Sequence, residues 1–278
     1  MPKGWEWDET LYLGSAPYYV PGRLPYATGL ADRLARVLAL DGRGHLLDVG
    51  CGPGVLALLL AHLFEEVMGV DPDPGMLAEA ARRAEAAGIH NVRWVQARAE
   101  ELPPDFGRFR VATFGQSFHW MDRPRVARLV RDLLEPNGAF LQVADVKEPP
   151  AIPDGGLPFP VPPIEAIEEL GRRYLGPVRR AGQGVLLYGT PGDEIAVLRG
   201  AGFGEPERIR VPAGGAVVRT ADEIVAWVFS RSVSAPHLFG DRRDEFESGL
   251  RRLLDEASPS GRFAEVQPDT EVFVWRKA

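Results

Sequence analysis

The chain has 278 residues, 45% of them hydrophobic, and a formal charge of −7 from 32 basic and 39 acidic side chains. That length buries a full core as one large domain or as one domain with an elaborate cap. The acidic balance and scattered arginines argue against a nucleic-acid partner, which calls for a basic face, and no apolar run approaches the roughly 20 residues of a membrane helix. A single cysteine, Cys51, excludes an internal disulfide framework and a cysteine-built zinc site, so no metal is expected. With an N-terminus lacking the basic-then-apolar pattern of a secretion signal, the expected location is the cytoplasm.

From Gly44 to Val146 short apolar runs alternate with amphipathic stretches. "HLLDVG" reads as a strand, "GVLALLLAHLF" as the helix after it, and "EVMGVD" as a second strand. "PGMLAEAARRAEAAG" is a helix stopped at Gly88. "VRWVQA" and "FRVATFG" are two more strands, and "RPRVARLVRDLLEPNG" is a helix closed by a Pro-Asn-Gly turn before the strand "AFLQVADV". Strand, helix, strand at this spacing means right-handed βαβ units and a parallel sheet. After Lys147, "KEPPAIPDGGLPFPVPP" forbids regular structure and reads as a lid. Beyond it a helix is expected at Pro163–Leu175, a helix at "DEIAVLRGAGF", a strand at "ERIRVP", helices near Ala221–Ser234 and Asp241–Ala257, and a last strand at "TEVFVWRKA". The expected fold is therefore α/β: a Rossmann-like, seven-stranded, mostly parallel sheet with helices on both faces and lid inserts. Residues 1–43 form a helical flap, 44–146 the cofactor-binding core and 147–190 a lid. Residues 191–278 complete the sheet around a helical insert at 213–269.

The turn "DVGCGPG" carries the chemistry. A dinucleotide fingerprint, GxGxxG, places its third glycine where helix packs on strand; counting from Gly50, Val55 stands there, which weakens a nicotinamide reading. Two acids flank the turn. Asp48 ends the first strand, and Asp71 ends the second, some 20 residues on, where a carboxylate can accept both ribose hydroxyls.

"LLDVGCGPG", "VMGVDPDPGML" and "QARAEELP" together resemble motifs I to III of class I S-adenosylmethionine-dependent methyltransferases. "FGQSFHWMD" followed by "LEPNGAF" is similar to the branch that includes the ubiquinone-type and trans-aconitate enzymes. The resemblance implies the following roles. Gly50, Cys51 and Gly52 lie against the methionine part of S-adenosylmethionine, with Asp48 behind the loop. Asp71 binds the ribose, Pro72 and Met76 pack on the adenine, and Arg98, Ala99 and Glu100 read its edge. Gly115 and Gln116 supply backbone contacts to the amino group. In similar enzymes "YYVPGRLPY" covers the sulfonium end, which assigns Tyr19 and Arg23 to the cofactor and points to Tyr18; Arg23 is a sensible carboxylate clamp. Where the family often has Thr or Ser, this chain has Pro53, which stiffens the turn.

Methyl transfer is an in-line displacement that needs a base only for a hydroxyl or an acidic carbon. His119 is the candidate base, and the competing reading makes it part of the pocket wall beside Trp120. His237, in the second insert, is a further candidate for the active site. Trp5 and Trp7 read as groove filler. The leading expectation is a small-molecule methyltransferase, most simply an O-methyltransferase, monomeric or homodimeric, with no nucleic-acid or membrane partner. The alternatives are N- or C-methylation, a protein or RNA substrate, a cofactor-binding protein without catalysis, and a dehydrogenase on the same fold.

Overall fold

The computed structural model describes residues 8–148, 155–185 and 192–278. Trp5, Trp7 and residues 149–154 of the proline-rich stretch lie outside them. In chain order, two helices, α1 (Ala16–Gly22) and α2 (Leu30–Val37), precede the first strand, β1 (His45–Val49). Next come α3 (Val55–Leu60), β2 (Glu66–Asp71), α4 (Pro74–Ala86), β3 (Val92–Gln96), β4 (Phe109–Gly115), α5 (Arg123–Leu133) and β5 (Leu134–Asp145). Two of these helices start at side-chain caps: Asp73 accepts from the N–H groups of Gly75 and Met76, and Asp122 from that of Arg125. The Pro-Asn-Gly segment expected as a turn after α5 lies inside β5 instead. Phe109 pairs with Leu134 and Val111 with Ala139, so the intervening residues form an irregularity in the strand rather than a break before it.

The later elements are α6 (Ile164–Leu175), a short hairpin of β6 (Arg180–Ala181) and β7 (Gly184–Val185), α7 (Glu194–Gly200) and β8 (Glu207–Val211). They continue with β9 (Ala216–Thr220), α8 (Ala221–Phe229), α9 (Arg243–Ala257), β10 (Arg262–Val266) and β11 (Thr270–Arg276). The main sheet has seven strands in the order β3-β2-β1-β4-β5-β11-β8. β11 runs antiparallel to both β5 and β8, and the other pairs are parallel.

Period-2 alternation sorts the strand residues onto two faces. Leu47, Val49, Ala112, Phe114, Phe140 and Trp275 pack beneath α5 and α7. Leu46, Val67, Val111, Leu141, Val143 and Val274 pack beneath α2 and α3. A third core, built on Ile167, Val228, Phe229, Phe246, Leu250 and Phe263, belongs to α6, α8 and α9. The segment expected as a purely helical insert thus carries a two-stranded sheet at its ends: β9 pairs antiparallel with β10. Val217 and Val218 are β-branched, and their alternation was too short to register against the helices on either side. Because β9 leads into α8 and β10 follows α9, the insert is a closed unit with its own core, set over the carboxyl ends of the central strands.

Candidate functional site

Where β1 ends, the chain must turn sharply under the cap. The N–H groups of Gly50 and Cys51 both donate to the Val70 carbonyl, at 2.8 and 3.0 Å, which pins the turn to β2. Gly50, Gly52 and Gly54 all have positive φ, at 66°, 53° and 73°, which side chains rarely adopt. Their surroundings differ. A Cβ on Gly50 would lie 2.6 Å from Ser117 Cβ, and one on Gly54 2.6 Å from the Trp94 ring, whereas one on Gly52 would meet nothing within 4 Å. Two of these glycines therefore serve packing and the third opens onto space. Arg83, from α4, donates to the Pro53 carbonyl and holds the loop from outside.

The two acids flanking the turn act differently. Asp48 is buried and accepts from Thr113 Oγ1 at 2.8 Å and from the Ala57 N–H at 3.1 Å, tying β1 to β4 and α3. Burial pushes its carboxyl up to about 7. Asp71 accepts from the Gly52 N–H at 2.8 Å and the Asp73 N–H at 2.9 Å, and burial raises it to about 6.

Around the loop two cavities meet, sharing Tyr19, Gly50, Gly52, Gly115 and Gln116. The first to consider runs past Asp71, Pro72 and Met76 to Arg98, Ala99 and Glu100, and is closed by Leu11, Tyr12 and Trp120. It holds an acid, Asp71, at the carboxyl end of the second strand, the position at which open α/β sheets hold a ribose. The other holds Arg23, Tyr26, Asp48, Cys51 and Asp145 beneath Trp227 of α8. Every cofactor-side residue named from the sequence lines one of the two. Glu100 has a further duty, accepting the Asp122 N–H at 2.8 Å at the start of α5. Cys51 lines the second cavity, and its buried thiol is pushed well up by desolvation.

Arg23 follows α1. Its Nε and Nη2 donate to the Oγ and carbonyl of Ser230 at 2.9 and 3.0 Å, and the guanidinium lies 5.2 Å over the Tyr19 ring. Tyr18, its neighbour, is turned away: one residue is about 100° of helix, and Tyr18 packs against Phe229 and accepts from Arg243.

His119 lines neither cavity. It packs on Trp120 at 4.6 Å between ring centres, and burial, with the charges of Lys147 and Arg123, pulls its pKa down to about 4. His237 is further away in function: its Nδ1 meets the Leu13 carbonyl at 3.0 Å, joining the cap to the N-terminal segment. Three acids line the second cavity: Asp48, already bonded to Thr113 and Ala57, Glu265, paired with Arg219, and Asp145, at the end of β5. Gln116 Nε2 donates to its Oδ2 at 3.0 Å, and burial raises its pKa. Gln116 itself sits at φ 54°, an unusual conformation for a residue with a side chain. Sequence reasoning missed Asp145, although an acid at the carboxyl end of a buried strand was the signal already used for Asp48 and Asp71. Among the described residues no three His, Cys, Asp or Glu side chains cluster as metal ligands.

This fold and cleft define a Rossmann-like protein that takes a nucleoside-bearing cofactor across the ends of its parallel strands. Residues 46–138 match the family model described as "Methyltransferase domain". The chain is 33% identical over 204 residues to the 27-O-demethylrifamycin SV methyltransferase of Amycolatopsis mediterranei, covering 72% of this chain and 68% of that protein. It is 35% identical over 143 residues to the ubiquinone biosynthesis O-methyltransferase of Azorhizobium caulinodans, covering 49% of this chain and 55% of that protein. The chain therefore spans about half the length of that curated relative, and 29% of the Aspergillus terreus methyltransferase pgmE. In structure it is similar to the YcgJ protein of Bacillus subtilis, with a TM-score of 0.51 at 18% identity over 89% of this chain and 97% of that one. It is equally similar to the [4+2]-cyclase SpnF, with a TM-score of 0.51 at 23% identity over 92% and 83%. Those two likenesses concern the fold alone. The chain belongs to the S-adenosylmethionine-dependent methyltransferase family, whose cofactor is S-adenosylmethionine.

Proposed function

We propose that the chain methylates a small molecule, at a hydroxyl or carboxyl oxygen held between the glycine loop and Trp227. The observation that carries this reading is the second cavity, where Asp145, Tyr19, Tyr26 and Arg23 converge beside the loop. When bound, S-adenosylmethionine supplies an electrophilic methyl group on a sulfonium. The glycine loop and Asp71 bind it, the latter through ribose hydroxyls that add to the two backbone N–H groups it already accepts. Arg23, braced on Ser230, holds an anionic end. Tyr19 and Tyr26 have hydroxyls whose pKa burial raises, so they stay protonated and can orient an oxygen acceptor. Asp145, with Oδ2 occupied by Gln116, takes the acceptor's proton on Oδ1; its raised pKa brings it toward the range useful for a base.

Two relatives carry names that speak of oxygen acceptors on small molecules, the ubiquinone biosynthesis and rifamycin enzymes. The acidic chain and the roofed cavity agree with a small acceptor better than with RNA or protein. The test incubates the chain and methyl-labelled S-adenosylmethionine with an extract of the source organism, then separates metabolites from macromolecules. Label is expected among metabolites, and label in RNA or protein overturns the reading. With the acceptor identified, Asp145→Asn should lower kcat by roughly two to four orders of magnitude while leaving cofactor affinity intact. Unchanged kcat would mean that no base is needed and that the hydroxyl reading fails.

A further inference from the structure

On the far side of α8 from the methyl-transfer cleft lies a third cavity, between α6, α8 and the loop leading to β6. Its floor is apolar, formed by Ile167, Leu175, Val228 and Phe246. Its charged rim is lopsided, with Arg172, Arg179, Arg180 and Arg231 against Glu168. Glu169 neutralises Arg172 through bonds of 3.1 and 2.9 Å, and Glu168 meets Arg231 at 3.5 Å. Neither Arg179 nor Arg180 forms an ion pair with a described carboxylate. Two arginines with no carboxylate partner among the described residues thus line a cavity with an apolar floor, in a chain whose formal charge is −7.

Arg231 sharpens the picture. Its guanidinium lies 4.6 Å over the Trp227 ring, stacked against the wall shared with the cleft. Desolvation lowers its pKa, and the charges of Arg23 and Arg179 act in the same direction against the opposing Glu168. Arginine stays charged nonetheless. A half-buried cation with one carboxylate at 3.5 Å, beside an arginine with none among the described residues, is stabilised by any anion that can reach both, and planar guanidinium groups suit an oxyanion. We propose that this cavity is a binding site for a small amphipathic anion, its oxyanion group held by Arg179 and Arg231 and its apolar body laid on Ile167, Val228 and Phe246. Arg180 adds attraction at the rim. The site is separate from the methyl-transfer cleft and needs no cofactor to form.

Calorimetry on the full chain, with decanoate, decanol and inorganic phosphate as probes, tests it. Decanoate should saturate one site, with decanol and phosphate each roughly tenfold weaker or worse, since each lacks one half of the recognition. The double variant Arg179→Gln, Arg231→Gln should weaken decanoate roughly tenfold or more. Glu168→Gln, which frees Arg231 from its competing carboxylate, should tighten it severalfold. Decanol binding as tightly as decanoate would reduce the cavity to an apolar trap, and phosphate binding as tightly would reduce it to surface charge. Either result, or decanoate affinity unmoved in both variants, overturns the proposal.

Discussion

Gly50 and Gly52 stand two residues apart in one turn, and the structure gives them different reasons to be glycine. Gly50→Ala combines left-handed strain of about 1–2 kcal/mol with a Cβ driven against Ser117, an overlap that costs about 1–3 kcal/mol more. Gly52→Ala meets only the strain, because its Cβ enters open space, and its larger effect falls on the cofactor. Denaturant melts and cofactor titration of the two variants should therefore rank them oppositely. Equal stability losses with equal affinities would put Gly52 outside the cofactor's contact. Asp71 has a pH signature. Its pKa in the fold is raised from 3.8 to about 6, so its contribution to stability is present below the ordinary value and lost as pH rises through about 6. Cofactor binding has the opposite sign, since the ionised carboxylate is the better acceptor for ribose hydroxyls. The dissociation constant should rise about tenfold per pH unit below about 6. Asp71→Asn should flatten that dependence and weaken binding by about 1–3 kcal/mol. A variant with the wild-type slope would assign the titration to Asp48.

Among the elements, α1 decides whether Tyr19 and Arg23 reach the cleft. It is only seven residues long and contains Pro21, so its own propensity cannot hold it. Contact with α8 holds it instead. A Cβ on Gly22 would sit 2.4 Å from the Ala226 carbonyl carbon, and buried Arg219 donates to the carbonyls of Gly22 and Glu223 at 2.7 and 2.8 Å. The same arginine meets Glu265 at 2.8 Å, so β9, β10, α1 and α8 share one pin. Gly22→Val should push α1 off α8, costing about 1–3 kcal/mol and weakening cofactor binding along with it. Thermal melts and titration check both, and a stability loss with unchanged affinity would remove α1 from the site.

At the scale of the molecule, the N-terminal segment and the lid hairpin are joined to each other. Asp8 accepts the Gly184 N–H at 2.6 Å and the Thr10 N–H at 2.8 Å, Thr10 Oγ1 accepts the Gln183 N–H at 3.1 Å, and Leu11 buries itself with Ala181. Since Leu11 and Tyr12 also line the cavity that holds Asp71, this latch should govern how fast the cofactor leaves. Asp8→Ala removes charge-assisted bonds that contribute about 1.5–3 kcal/mol, so cofactor release should accelerate roughly tenfold or more by stopped-flow. An unchanged release rate would make the latch purely structural. Such a latch could not be read from the chain, because Asp8 and Gly184 are 176 residues apart and neither stands in a periodic segment. The same limit explains His119 and Asp145. Asp145 ends one buried strand and His119 follows another, and only the packing of Trp120 and the bond from Gln116 decide that Asp145 lines the cavity while His119 does not. What the chain determines by itself is local and periodic: alternation along β1, β2, β4 and β5, caps at Asp73 and Asp122, and glycines where φ must be positive. These specify the sheet and the cofactor loop, because each depends on neighbours a few residues away. Which side chains meet across the cleft, and how β9 and β10 close the cap, was decided by the tertiary structure, because those contacts join segments that only packing brings together.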